Sequence, residues 1–86
     1  GGEEFAVLLP GTSPEEAVLV AERIRKEIAA RPIAVDRTVT VTLTASFGVA
    51  GREKTTFGTS LESLLRAADA ALYRAKNGGR NRVTRS

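Results

Sequence analysis

The chain has no cysteine and no histidine among its 86 residues. Thiol nucleophiles, disulfides, imidazole acid–base catalysis and the Cys/His donor sets of zinc sites are therefore excluded within it. Any metal must be held by carboxylate oxygens, the ligands of Mg²⁺ and similar hard ions. Aromatic residues make up only 5%, which leaves no row of stacking platforms for single-stranded nucleic acid. No apolar run is long enough to span a bilayer, and no secretory leader pattern is found. With the absence of cysteine, this points to a cytoplasmic setting. Neither a P-loop nor a GxGxxG fingerprint occurs, so no nucleotide can be argued from a phosphate loop.

What is present is unevenly spread. The net charge is +3, yet five of the thirteen basic side chains (Arg74, Lys76, Arg80, Arg82, Arg85) lie in the last thirteen residues without one acid. Residues 1–73 hold the other eight against ten acids. The basicity belongs to one tail and points to a local anionic partner.

Length allows one domain at most. "GGEEFAVLL" reads as a strand leaving a hairpin turn, since paired glycines supply positive φ. Ser13-Pro14-Glu15-Glu16 is a helix start, with Ser13 as N-cap, Pro14 at the first helical position and Glu16 closing a capping box. Ala17, Val20, Ala21, Ile24 and Ile28 follow at helical spacing as one buried stripe, and Glu22–Lys26 and Glu27–Arg31 are exposed pairs four apart. This predicts a helix from Pro14 to about Ala30. The period then changes: "IAV", a turn at "DRT" and a long alternating strand over "VTVTLTASFGVA" form a hairpin, with Val39, Val41, Leu43, Ala45, Phe47 and Val49 on its core face. A second helix starts near Ser60, with Thr59 and Glu62 at capping-box spacing, and carries Leu61, Leu64, Leu65, Ala68, Leu72 and Ala75 to Lys76 or Asn77. Gly78 and Gly79 stop it, and "RNRVTR" adds a short strand. Tyr73 is expected to bury its ring, and Asp69 and Arg23 to be solvated, Arg23 beside Glu27.

The order β-α-β(hairpin)β-α-β gives an α/β (α+β) sheet with helices packed on it. The first strand runs away from Glu3 and the first helix returns. The long strand leaves again and the second helix comes back. With right-handed crossovers on one sheet, Glu3, Glu4, Lys76 and Arg80 share one end. Two acids on a glycine turn can present oxygens to a Mg²⁺–phosphate complex, while Lys76 and Arg80 can grip the phosphates. The alternatives are an exposed hairpin tip for the acids and macrodipole complementation at a helix C-terminus for Lys76.

Taken together, "GGEEF", "AERIR", "VTLTASFGVA" and "ADAALYRAKNGGRNRV" resemble, in order and over the whole chain, the GGDEF family of diguanylate cyclases. The resemblance implies a fold related to nucleotidyl cyclases and the polymerase palm. It implies condensation of two GTP into cyclic di-GMP and two pyrophosphates by an antiparallel homodimer. Mg²⁺ (or Mn²⁺) is the implied cofactor. Gly1 and Gly2 would admit the nucleotide, Glu3 would bind metal and help activate the attacking hydroxyl, and Glu4 would support that arrangement. Lys76 and Arg80 would hold the triphosphate. Arg23 matches an arginine that joins the inhibitory cyclic di-GMP site in some members.

The resemblance further implies that residues 1–86 are the C-terminal half of one GGDEF domain. The N-terminal half, with another metal-binding Asp and the guanine-reading side chains, would precede Gly1. Alone, the 86 residues are expected to be inactive. A sensory or receiver domain is expected upstream, and the whole can be the cytoplasmic part of a membrane-bound sensor. The rival reading is a silent GGDEF-like module that binds GTP or cyclic di-GMP or serves dimerisation. A nucleic-acid partner is not expected.

Overall fold

The computed structural model describes Glu4, residues 6–52 and residues 60–86. Its elements are α1 (Pro14–Ala30), β1 (Ile33–Ala34), β2 (Thr40–Val41), β3 (Phe47–Val49), α2 (Leu61–Asn77) and β4 (Val83–Arg85). Both helices fall where the residue periodicity puts them. At the start of α1 the Ser13 hydroxyl accepts the Glu16 N–H at 3.1 Å and donates to the Glu16 carboxylate at 3.1 Å. This satisfies one orphan amide of the first turn, where Glu15 and Glu16 also complement the macrodipole. Ser60 caps α2 in the same way, accepting from the Ser63 N–H at 3.1 Å. Thr59, expected to share that task with Glu62, lies outside the described residues.

β3 and β4 pair in parallel, with Phe47 opposite Val83, Gly48 opposite Thr84 and Val49 opposite Arg85. Parallel neighbours need a crossover, and α2 supplies it. Both helices pack on this strand pair, and neither contacts the other. Two strands are only about 5 Å apart, while a helix with its side chains is about 10 Å wide. Two helices touching both strands on one face would therefore touch each other, so the pair is the middle of three layers. The core is made of small residues: Ala21 of α1, Val49 of β3, and Ala71 and Ala75 of α2 are buried. Gly48 explains how close α2 comes. A Cβ at this position would collide with the Ala68 carbonyl oxygen and the Leu72 amide nitrogen. At the far end, Arg85 of β4 reaches Glu15 at 2.9 Å and ties the strand to the start of α1. The Glu15 carboxyl is held below its usual pKa, first by its own backbone N–H and then by that guanidinium.

The second sheet is the expected hairpin, β1 antiparallel to β2, with Ile33 opposite Val41 and Ala34 opposite Thr40. Asp36 organises its turn, its Oδ1 accepting from the Thr38 N–H at 2.8 Å, the Thr38 hydroxyl at 3.0 Å and the Val39 N–H at 2.9 Å. Among the described residues the hairpin packs on no other element; the molecule measures 54 Å along its longest axis.

Several expectations are corrected. Residues 6–9 form no strand, and Val7 is 81% exposed, because no described segment offers them a ladder. The long strand over "VTVTLTASFGVA" is two short ones. Its ends pair with different partners, β1 and β4, and residues 42–46 between them pair with neither. Val39, Val41 and Leu43 are consequently exposed, and only Val49 of the expected stripe is fully buried. Val20 and Ile24 of α1 are likewise exposed, because α1 meets two strands, too narrow a surface to cover its whole stripe. Tyr73 is 69% exposed, since its α2 position is turned away from the β3–β4 pair. Glu22 pairs with Arg25, one residue short of the expected Lys26, while Glu27 pairs with Arg31 as expected.

Two outcomes test this account. Gly48→Ala pushes a methyl into helix backbone that cannot rotate aside, so it should cost about 3 kcal/mol in urea unfolding, the upper end of overpacking. A change below about 0.5 kcal/mol would show that α2 is free to move off β3. The hydrogen bonds to Asp36, that from the Thr38 N–H foremost, hold its folded carboxyl below its usual pKa. Its contribution is therefore present above the unfolded value, about pH 3.9, and is lost as pH falls through the folded one. Amide exchange at Val39 should accelerate in that acid window, and Asp36→Asn should flatten the response; identical profiles for the two proteins would refute the assignment.

Candidate functional site

The parallel pairing fixes where the end of α2 must be. β3 and β4 run the same way, so the crossover helix runs back and delivers its C-terminus to the strands' N-terminal ends. Lys76 lies in the last turn of α2. Its Nζ donates to Glu4 Oε2 at 2.8 Å, across 72 positions of the sequence. The meeting of an acid from the chain's beginning with a base from its end, expected from strand and helix order, is thus observed for this pair. Lys76 is 34% and Glu4 53% exposed, at the rim of an open groove that Arg80 also lines. Gly1, Gly2 and Glu3 lie outside the described residues. Arg23 is exposed on α1 and does not line the groove; the Glu27 expected beside it is turned to Arg31.

Arg80 is presented by an unusual turn. After the Gly78 cap, whose N–H donates to Arg74 O at 2.8 Å, the Arg80 N–H reaches back to Ala75 O at 3.0 Å. This is the longer bond of a Schellman motif, and Gly79, at φ 122°, occupies its left-handed position. The chain then stays left-handed through Arg80 (φ 62°) and Asn81 (φ 45°). Non-glycine residues pay roughly 1 kcal/mol or more each for this conformation. Tertiary bonds hold it. The Asn81 N–H donates to Ser46 Oγ at 3.1 Å, and Arg82 Nε donates to Arg80 O at 3.1 Å. Arg25 of α1 donates through Nη1 to Asn81 Oδ1 at 2.9 Å. The Arg80 guanidinium itself has no side-chain partner among the described residues.

Arg25, Ser46 and Asn81 were not singled out by sequence reasoning. The available signal was "GGRN", where asparagine, the side chain most tolerant of left-handed backbone, follows two glycines. Beside them, Glu22 accepts from Arg25 Nε at 2.9 Å and from Nη2 at 3.0 Å, and this guanidinium holds the Glu22 carboxyl below its usual pKa.

The arrangement combines one carboxylate with two cations at the rim of a groove. Among the described residues, no three potential metal-ligating side chains come together. The donor chemistry of Glu4 nevertheless suits a hard divalent ion: its oxygens are the type such ions take, and only Oε2 is engaged by Lys76. Lys76 and Arg80 suit an anion of several charges, the first as a point charge and the second as a planar fork.

Comparison with known proteins places the chain in a family. The family model described as "Diguanylate cyclase, GGDEF domain" matches residues 1–82. A protein of Treponema denticola named Diguanylate cyclase A is 44% identical over 86 residues, all of this chain and 22% of its own length. The probable diguanylate cyclase DgcF of Escherichia coli is 42% identical over 86 residues, 98% of this chain and 27% of its own. The chain thus spans about a quarter or less of the curated relatives it matches. Among solved structures, the GGDEF domain of DgcB from Caulobacter crescentus, in complex with c-di-GMP, aligns with a TM-score of 0.73 at 36% identity. It covers 85% of this chain and 42% of that one. The partial α/β architecture is therefore that of GGDEF domains.

The Glu4–Lys76 pair is too exposed to be a structural lock, and such pairs contribute under about 1 kcal/mol. A double-mutant cycle with Glu4→Gln and Lys76→Met, read by urea unfolding, should give a coupling within that limit. A coupling above about 2 kcal/mol would make the pair a determinant of the fold.

Proposed function

The chain belongs to the GGDEF family of diguanylate cyclases, and from that premise we propose that it supplies the phosphate-gripping side of a site that condenses two GTP molecules into cyclic di-GMP. The observation that carries this reading is the convergence of Glu4, Lys76 and Arg80 on one groove. In each half-reaction the 3′-hydroxyl oxygen of one GTP bonds to the α-phosphorus of the other, the bond to pyrophosphate breaks, and the hydroxyl proton leaves to a base. Two such steps close the ring and release two pyrophosphates. They require two sites facing each other, hence an antiparallel homodimer.

The residues divide this work by their chemistry. Lys76 holds a non-bridging phosphate oxygen as a mobile point charge, exchanging the Glu4 carboxylate for it when the triphosphate arrives. Arg80 bridges two oxygens and orients the leaving pyrophosphate. By the family resemblance Gly1 and Gly2 would admit the nucleotide, and Glu3 would receive the hydroxyl proton. Glu3 and Glu4 are the residues that would hold Mg²⁺ (or Mn²⁺), which when bound neutralises phosphate charge. Such catalysis is mostly positioning and electrostatics.

Arg23, exposed and without an ion-pair partner among the described residues, is available to the product in an inhibitory site. An upstream sensory or receiver domain would set the pairing of the two sites, with the cytoplasm supplying GTP. Turnover is assigned to a protein longer than these residues, in keeping with the share of each relative they span.

The test is cyclic di-GMP formation from GTP and Mg²⁺ by the intact protein. Each charge-assisted phosphate contact contributes about 1.5–3 kcal/mol, so Lys76→Ala and Arg80→Ala should each lower kcat/KM by roughly 10- to 100-fold. Glu3→Gln should abolish synthesis with folding retained. Unchanged kcat/KM in both cation variants would remove them from the site. Binding of GTP without turnover by the unsubstituted protein would reassign it as a nucleotide-binding module, and turnover by the 86-residue polypeptide alone would overturn the assignment to a longer protein.

A further inference from the structure

Arg25 uses every nitrogen of its guanidinium in two directions. Nε and Nη2 fork onto the two oxygens of Glu22, at 2.9 and 3.0 Å. Nη1 donates to Asn81 Oδ1 at 2.9 Å and lies 3.5 Å from the Asn81 carbonyl oxygen. Its side chain is 18% exposed, and it does not line the groove that Glu4, Lys76 and Arg80 share. Arg25 therefore faces the turn from behind. It belongs to α1, which does not contact α2, so its bonds tie α1 to the turn that follows α2.

What it grips is the costly part of the molecule. Arg80 and Asn81 are both left-handed, immediately after a left-handed Gly79. Such backbone persists where the surroundings over-determine it. The backbone N–H of Asn81 is taken by Ser46 of the segment entering β3, and its side chain by Arg25 of α1. The Arg80 carbonyl is taken by Arg82. Arg80 lines the groove, and its guanidinium has no side-chain partner among the described residues. A turn held from two layers fixes the direction from which that guanidinium leaves the backbone.

We infer that Arg25 is a positioning residue for Arg80: clamped by Glu22, it holds Asn81 and so keeps the strained Gly79–Asn81 turn in the conformation that aims Arg80 at the nucleotide phosphates. This rests on the proposed role of Arg80. Glu22 keeps the fork flat and aimed, and a lysine at position 25 could not serve both partners, because an ammonium lacks the planar fork.

The experiment measures GTP KM and kcat in the intact protein for five variants: Arg80→Ala, Arg25→Gln, Asn81→Gly, Asn81→Asp and the Arg25→Gln/Asn81→Gly double. Asn81→Gly removes the acceptor while leaving left-handed backbone unstrained. Asn81→Asp keeps the acceptor and tolerates the same φ. Arg80→Ala should raise KM roughly tenfold or more, the effect of one lost charge-assisted contact. Arg25→Gln and Asn81→Gly should each raise KM about three- to tenfold with a smaller change in kcat, and the double should be no worse than either single, since both break one clamp. Asn81→Asp should behave as the parent. Because Asn81→Gly does not strain the fold, the inference does not hang on whether Arg25→Gln folds well. If Arg80→Ala raises KM while Arg25→Gln and Asn81→Gly leave it unchanged, or if the double is fully additive, the positioning role is refuted. If Arg80→Ala leaves KM unchanged, the phosphate role of Arg80 fails, and the positioning role falls with it.

Discussion

Everything in this molecule follows from how closely α2 lies against β3. Gly48 has no side chain, and its place is taken by helix backbone at Ala68 and Leu72. Ala71 and Ala75, one turn apart on the same helix, are fully buried. Where small residues meet, dispersion is gathered from backbone contacts as well as from side chains, and a short interface becomes dense. Large apolar residues could not replace them without pushing the layers apart. That close seat lets a crossover of one helix return the chain so that β4 can pair beside β3, and it sets where the helix ends.

The end of α2 then becomes the place where several kinds of cost accumulate. Left-handed residues, a guanidinium unpartnered among the described residues and a solvent-exposed ion pair are all unfavourable or nearly neutral for folding. They are concentrated at one pole, whereas the opposite pole has a capped helix start and the Arg85–Glu15 link. Stabilising contacts and expensive ones are segregated along the strands. Such a division is expected where one end of a sheet holds the molecule together and the other handles a charged ligand.

Much of the fold was legible because its signals are local. Ser13-Pro14 and the apolar spacing after it placed α1 closely, and the glycine pair after Asn77 marked the end of α2. Asp36 announced its turn. What could not be read was pairing. The alternating run from Val39 to Val49 has the period of one strand, but period reports which side chains share a face and says nothing of what lies alongside. Val7 and Leu8 have strand-forming side chains and no described neighbour to pair with. At the site, the meeting of Glu4 with Lys76 followed from element order alone. The role of Arg25 did not, because its partner Asn81 is 56 positions away and neither residue is unusual by itself. Family likeness suggested the roles proposed for Arg23, Lys76 and Arg80, and the fold supplied the neighbours.

The parallel register of β3 with β4 also has a kinetic meaning. Helices form from neighbouring residues on the microsecond scale, whereas joining distant strands must first overcome loop-closure entropy. Phe47 meets Val83 across the whole of α2. The Asn81–Ser46 bond, which lies just before that pairing, closes a loop of nearly the same length. In this chain the turn that carries Arg80 therefore depends on long-range closures that neither helix needs. Fraying of the three residues of β4 would loosen the turn that carries Arg80 before it disturbed either helix.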